Sequence, residues 1–342
     1  MRVVLLVLAV SAVLLAHPVD DLYQLYHEGR GKDWDVYNNS LNYVYLVKNS
    51  SDPLVRALSW MNLLYYGRAL KELEGVKGAD FYRTRMKVLR KKDKRAAEDY
   101  LRGLPKSLAG RAEKAFVRGY VFGEDVTDEL GRIYEEAVKE YEKERIDYVD
   151  MFAFDYAYFL RKEDPWKAMV VLSQVVQYDF TLESTEVYYS VDNLKMSYYP
   201  VLLLLSRVMY DLACAEIERI FGMKVDEFKR LPREDRERMI AEALMDEDKS
   251  KTIRYINYLL KYSVNVLAYG VNDYYFLSRL KDVPDLGIID GSFGEFQDEV
   301  RALRMMVMVS MGREWDEKAD SSDPRRFLDD LWTEVPHLQR DF

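Results

Sequence analysis

The sequence predicts an all-α protein, with helix hairpins stacked as an α-solenoid behind a signal peptide that is removed. Three observations carry this expectation. Apolar residues return at helical spacing through almost the whole chain. Acid–proline pairs recur as helix starts, at Asp52-Pro53, Asp164-Pro165 and Asp323-Pro324. In each, the Asp can accept from free backbone N–H groups of the first turn, and Pro gives up no hydrogen bond there. Gly and Pro are also scarce, 16 and 9 among 342 residues, fewer than the turns of a β-sandwich or a Rossmann-type domain of this size would use.

The first element is residues 1–16, MRVVLLVLAVSAVLLA. Arg2 supplies a positive start, and Val3 to Leu15 is uncharged, with Ser11 its one polar residue. Leu14 and Ala16 fit the −3 and −1 sites of a signal peptidase, and the chain then turns polar at His17-Pro18-Val19-Asp20-Asp21. This is the layout of a secretory signal, and it is shorter than the ~20 apolar residues of a membrane span. The expected location is therefore exported, periplasmic or extracellular. A single cysteine, Cys214, provides no disulfide framework even in an oxidising compartment. It lies in an apolar helical run and reads as a small buried hydrophobe.

Further along, Leu54, Leu58, Met61, Tyr65 and Leu73 recur at helical spacing, and Gly75 and Gly78 mark a stop and turn. A second helix is expected over Asp80 to Leu101, ended by Gly103-Leu104-Pro105. Helices also fit residues 106–121, 127–145, 147–162 and 165–178. The segment 179–192 loses the helical period and reads as a loop or a short strand pair. It divides the chain into an amino-terminal helical-repeat region, 17–192, and a carboxy-terminal helical region, 193–342. After it, Tyr199 to Phe221 is strongly apolar, but Arg207, Asp211, Glu216 and Glu218 interrupt it, so it reads as a buried helix and not a span. Helices then fit 232–246, 250–269, 295–312 and 324–333, with a Gly- and Pro-containing loop at 282–294.

Glu124-Asp125 and Glu163-Asp164 each precede a helix, 39 residues apart. In the second unit Ala157 stands as the small residue of a first helix, and Ala168 and Leu172 form a small-x3-large pair in a second. Over residues 147–180, and over 110–145, this resembles the tetratricopeptide repeat, whose second helix uses such a pair. The departures are a longer period, Phe180 where the repeat ends in Pro, and no first-helix Trp. The resemblance implies stacked helix pairs and a concave face that binds peptides or partner proteins.

The formal charge is −9. A chain built for general nucleic-acid binding would be basic, so no nucleic acid is expected as a partner. Histidine is limited to His17, His27 and His337. No H-E-x-x-H, C-x-x-C, G-x-S-x-G, P-loop or dinucleotide fingerprint occurs, which argues against zinc hydrolases, Ser–His enzymes and nucleotide enzymes. No cofactor or metal is expected. Asp150, Asp155, Asp192 and Asp273 stand beside aromatics and are the candidate acids for glycoside hydrolysis, which needs two carboxylates. Tyr doublets at 65–66, 188–189, 198–199 and 274–275 suit groove walls, since Tyr joins apolar area to a polar tip.

Charge is unevenly spread. Between Arg83 and Arg118, thirteen Lys or Arg face four acids. The densest run holds Arg83, Arg85, Lys87, Arg90, Lys91, Lys92, Lys94 and Arg95 against the single acid Asp93. Such a cluster can hold an anionic envelope surface, a lipid head-group layer or an acidic glycan. The leading functional expectation is an exported, non-enzymatic helical-repeat scaffold binding a protein or peptide partner at the cell envelope. The alternative is an exported α/α-toroid carbohydrate-active enzyme with paired carboxylates. Export makes a direct prediction: intact-mass measurement of protein from the native cell should find a chain starting at or near His17. A mass that includes Met1 to Ala16 would remove the case for a cleaved signal.

Overall fold

The computed structural model describes residues 17–24, 46–48, 50–62, 65–146, 149–176 and 200–268, and among these it is all-helical, with no strand. The helices are α1 (Pro18–Gln24), α2 (Pro53–Asn62), α3 (Tyr66–Glu72), α4 (Asp80–Lys91), α5 (Lys94–Gly103) and α6 (Leu108–Val117). A π turn at Arg118–Phe122 follows α6 directly. Then come α7 (Thr127–Glu142), α8 (Asp150–Leu160), α9 (Pro165–Val176), α10 (Pro200–Phe221), α11 (Val225–Arg230), α12 (Arg233–Leu244) and α13 (Glu247–Ala268). None of these is long and apolar enough to cross a membrane. The 179–192 boundary, the elements expected beyond 269 and the start Asp323-Pro324 fall outside the described residues.

Two of the acid–proline starts form as chemistry requires. Asp52 Oδ1 accepts from Leu54 N at 2.8 Å, and Asp164 Oδ1 accepts from Lys167 N at 2.9 Å. Gly75 and Gly78 stand at φ +76° and +78°, where an L side chain would be strained, and turn the chain from α3 into α4.

The helix expected over 80–101 is two helices. Lys92 adopts a left-handed conformation, φ 50°, and its N–H bonds back to Val88 O, closing α4. Asp93 then accepts from Arg95 N and Ala96 N and opens α5. A single Asp inside a basic run thus caps a new helix. The apolar period over 54–73 is likewise divided into α2 and α3, with Tyr65 N–H reaching back to Trp60 O at 2.8 Å.

Neighbouring helices pack in chain order: α6 on α7, α7 on α8, α8 on α9, α9 on α10. Alternate helices also meet, α6 with α8 and α8 with α10. The long helices α10 and α13 make the most extensive contact. The centre is α8, DMFAFDYAYFL, ten of whose eleven residues are buried. A helix apolar on every side has no face for water, and α8 meets this by touching α6, α7, α9 and α10. The small residues Ala153 and Ala157, both 0% exposed, let neighbours approach, while Phe154 joins a ring cluster with Phe116 and Tyr158.

The π turn packs equally closely. A Cβ at Gly119 would stand 2.5 Å from Phe159 Cζ and 2.6 Å from Val126 Cγ2. Gly119→Ala should therefore lower stability by about 1–3 kcal/mol, the usual cost of overpacking, despite alanine's better helix propensity. Gly103, at the end of α5, has nothing within 4 Å of its would-be Cβ. Gly103→Ala should leave stability unchanged or raise it by up to ~1 kcal/mol. Urea denaturation of the two variants checks both signs.

Candidate functional site

Two polar constellations stand out from the apolar packing. The first is internal. On α4, Tyr82, Arg85, Met86 and Leu89 line one buried face, so Arg85 sits in the middle of an apolar stripe at 2% exposure. On α6 the same holds for Glu113, 0% exposed among Ala109, Ala112, Phe116 and Val117. The two meet fork to fork: Nε donates to Oε1 at 2.8 Å and an Nη to Oε2 at 3.1 Å. Tyr100 of α5 adds a phenol donated to Glu113 Oε1 at 2.8 Å. Burial pushes the Tyr100 hydroxyl well above its ordinary range, helped by the Glu113 charge, so it stays a donor.

Beside this lies a second carboxyl. Tyr23 of α1 donates to Asp155 Oδ2 of α8 at 2.6 Å, and its ring leans on Phe152 at 4.7 Å. Burial pushes the Asp155 carboxyl well above the usual carboxylate range. The Tyr23 hydrogen bond opposes that shift, the Glu113 charge adds to it, and Arg85 opposes it. The Arg85 guanidinium thus bonds Glu113 directly and reaches Asp155 through its charge alone. Further clips bind α1. Ser107, the N-cap of α6, donates its hydroxyl to Asp20 Oδ1 and accepts from Gly110 N at 3.2 Å. Tyr82 donates to the Pro18 carbonyl at 3.4 Å, and the His17 ring meets Phe81 edge-on at 5.1 Å.

The second constellation is external. Of the eight basic residues singled out above, Arg85 is turned inward to Glu113, and Arg83 is engaged with the Leu73 carbonyl, with its Nη at 2.5 Å, and with Asp80. Lys87, Arg90, Lys91, Lys92, Lys94 and Arg95 are all exposed, on the outer side of α4 and around the turn into α5. Val88 and Leu89, both 0% exposed, anchor that stretch inward. Lys92 Nζ rests 4.0 Å from the centroid of the Tyr120 ring on the π turn. That cation–π contact is worth roughly 0.5–2 kcal/mol, comparable with the cost of its left-handed backbone. Among the described residues Lys87, Arg90, Lys91, Lys94 and Arg95 enter no ion pair or hydrogen bond through their side chains. Arg90 and Lys91 suit the negative end of α4, but Lys94 and Arg95 sit in the first turn of α5, where the helix dipole disfavours cations.

The candidate glycosidase acids divide. Asp150 and Asp155 lie on α8, each 2% exposed, and Tyr23 covers Asp155; Asp192 and Asp273 fall outside the described residues. Of the Tyr doublets, Tyr65 and Tyr66 are buried, and the others are outside the described residues. Cys214 is half-buried, its thiol pushed up to about 11 by burial. Among the described residues no three His, Cys, Asp or Glu side chains cluster to hold a metal ion.

No protein-family model matches the chain, and no curated protein and no solved structure matches it.

Asp155 makes a pH-dependent prediction. Its folded carboxyl holds a proton more tightly than the unfolded one, which titrates near 3.8. The resulting stability is complete below that value and is lost as pH rises through the raised folded one. Asp155→Asn keeps an acceptor for Tyr23 and does not titrate. Thermal denaturation across pH 4–8 should show the wild type losing ground to Asp155→Asn as pH rises. Parallel curves would mean that Asp155 titrates at its ordinary value.

Proposed function

We propose that this protein is an exported, non-enzymatic helical scaffold that binds a protein or peptide partner and docks on an anionic surface of the cell envelope. The carrying observation is the row of exposed cations without acid partners among the described residues, Lys87, Arg90, Lys91, Lys94 and Arg95. Two of them sit where the helix dipole opposes them, so helix stability does not account for their placement. The turn that carries them is pre-shaped by the Asp93 cap and by Lys92 on Tyr120, which limits the entropy lost on binding. A head-group layer matches the arrangement, since it asks for several point charges along one edge and no particular pocket.

The stacked-hairpin reading has its support in the order of packing. Successive helices pair, and α6, α8 and α10 also touch in alternation, as the inner layer of a helical-repeat array does. The tetratricopeptide-like stretch falls on α8 and α9, where Ala157, Ala168 and Leu172 are all 0% exposed.

Replacing Arg90, Lys91, Lys94 and Arg95 by Gln tests the docking surface. Stability should change by no more than about 0.5 kcal/mol, because exposed unpaired charges hold little up. Each Lys or Arg near an anionic membrane contributes about 1 kcal/mol, so binding to phosphatidylserine-containing vesicles should weaken by up to a thousandfold. Wild-type binding should fall as salt rises. A wild type that fails to sediment with such vesicles at low ionic strength would end the docking proposal.

A further inference from the structure

We infer that the face covered by α1 is a binding site for a short amphipathic helix, and that α1 is its occupant in cis. This deepens the scaffold reading, because it says where a peptide partner would sit and what it would look like; the site itself stands on the packing of α1.

α1 is seven residues, PVDDLYQ. An isolated helix of that length has no stability of its own in water, so its shape is held by what it sits on. Val19, Leu22 and Tyr23, at positions i, i+3 and i+4, are 0%, 0% and 1% exposed. Three anchors at that spacing form a single face, the usual signature of a helix laid in a groove. The seat is assembled from residues distant in sequence: Phe81 and Tyr82 of α4, Ser107 at the head of α6, and Phe152 and Asp155 of α8.

Other helices hold the seat together. α6 packs on α5, α7 and α8, and α8 packs on α7, α9 and α10, all without α1. The Arg85–Glu113 pair and the Tyr100 phenol further tie α4 and α5 to α6. α1, by contrast, packs extensively on α6 alone among the described helices. Residues 25–45, twenty-one in number, join α1 to the next described residue.

The seat also specifies its ligand. At its inner end Asp155 accepts a phenol at 2.6 Å. A site built to receive a hydroxyl rejects the analogue that lacks it, because its own polar group is left without a partner. At the outer end the Ser107 hydroxyl faces an acid, Asp20. The partner class is therefore a helical segment with an aliphatic residue followed by an acid, then a second aliphatic and a tyrosine at i+3 and i+4. Such a segment would compete with α1 for the same face.

The test cuts the chain between α1 and α2. A protease recognition sequence is placed within residues 25–45 of the full chain, the purified protein is cut, and a fluorescein-labelled peptide of residues 17–24 is added in excess. The labelled peptide should enter the cut protein saturably, and unlabelled peptide should compete it out. A Tyr23→Phe peptide should bind at least about tenfold more weakly. The uncut chain should bind at least about a hundredfold more weakly, since tethered α1 holds the seat at an effective concentration in the millimolar range. A cut protein that loses its helical circular dichroism would make α1 an ordinary structural helix and overturn the inference. So would a folded cut protein that takes up no peptide, or one that takes the Phe peptide equally well. Failure to recover any partner from a native envelope extract would count against the scaffold reading alone.

Discussion

An arginine and a glutamate removed from water cost several kcal/mol each in lost hydration, and only close, complete pairing offsets this. Arg85 and Glu113 meet that condition with two parallel hydrogen bonds, and Tyr100 satisfies a further lone pair. These bonds tie α4 to α6 through Arg85 and Glu113, and α5 to α6 through Tyr100, in one placement. From that placement follow the position of Ser107 at the head of α6, the direction in which α4 delivers its last turn, and hence where the basic edge faces. Breaking the pair by removing one partner would leave a bare charge in the core, a loss of about 3–5 kcal/mol and a large share of a domain's total stability.

The same three helices join the internal and external constellations. α4 carries Arg85 inward and Lys87, Arg90 and Lys91 outward on successive turns. α5 begins with two exposed cations and delivers Tyr100 to the buried carboxylate one and a half turns later. The run of basic residues in the sequence is thus two populations interleaved by the helical period, one structural and one available to a partner. Asp155 stands at the edge of the same network and couples the seat of α1 to the charges beneath it.

Much of this was legible in the chain. Helical periodicity gave the all-helical character, and Asp52 and Asp164 gave true helix caps. The split at Lys92 and Asp93 was harder to see, because both residues sit comfortably in a charged helix face. Only the backbone bond to Val88 and the side-chain cap reveal the break. The buried pair left a trace that composition masks. Arg85 falls between Tyr82 and Leu89 on one stripe, and Glu113 between Ala109 and Phe116 on another, but abundant surface charge makes any single such residue look ordinary. α1 was hidden for a different reason. Val19, Leu22 and Tyr23 form too short a period to register locally, and their partners lie far along the chain.

That distance has a consequence in time. Tyr23 and Asp155 are separated by 132 residues. At synthesis rates of about 5–20 residues per second, roughly 7–26 s pass between the appearance of the phenol and that of the carboxyl that receives it. Through that interval α1 has no completed seat. The seat of α1 is complete only once α8 has been made, a little before the midpoint of the 342-residue chain.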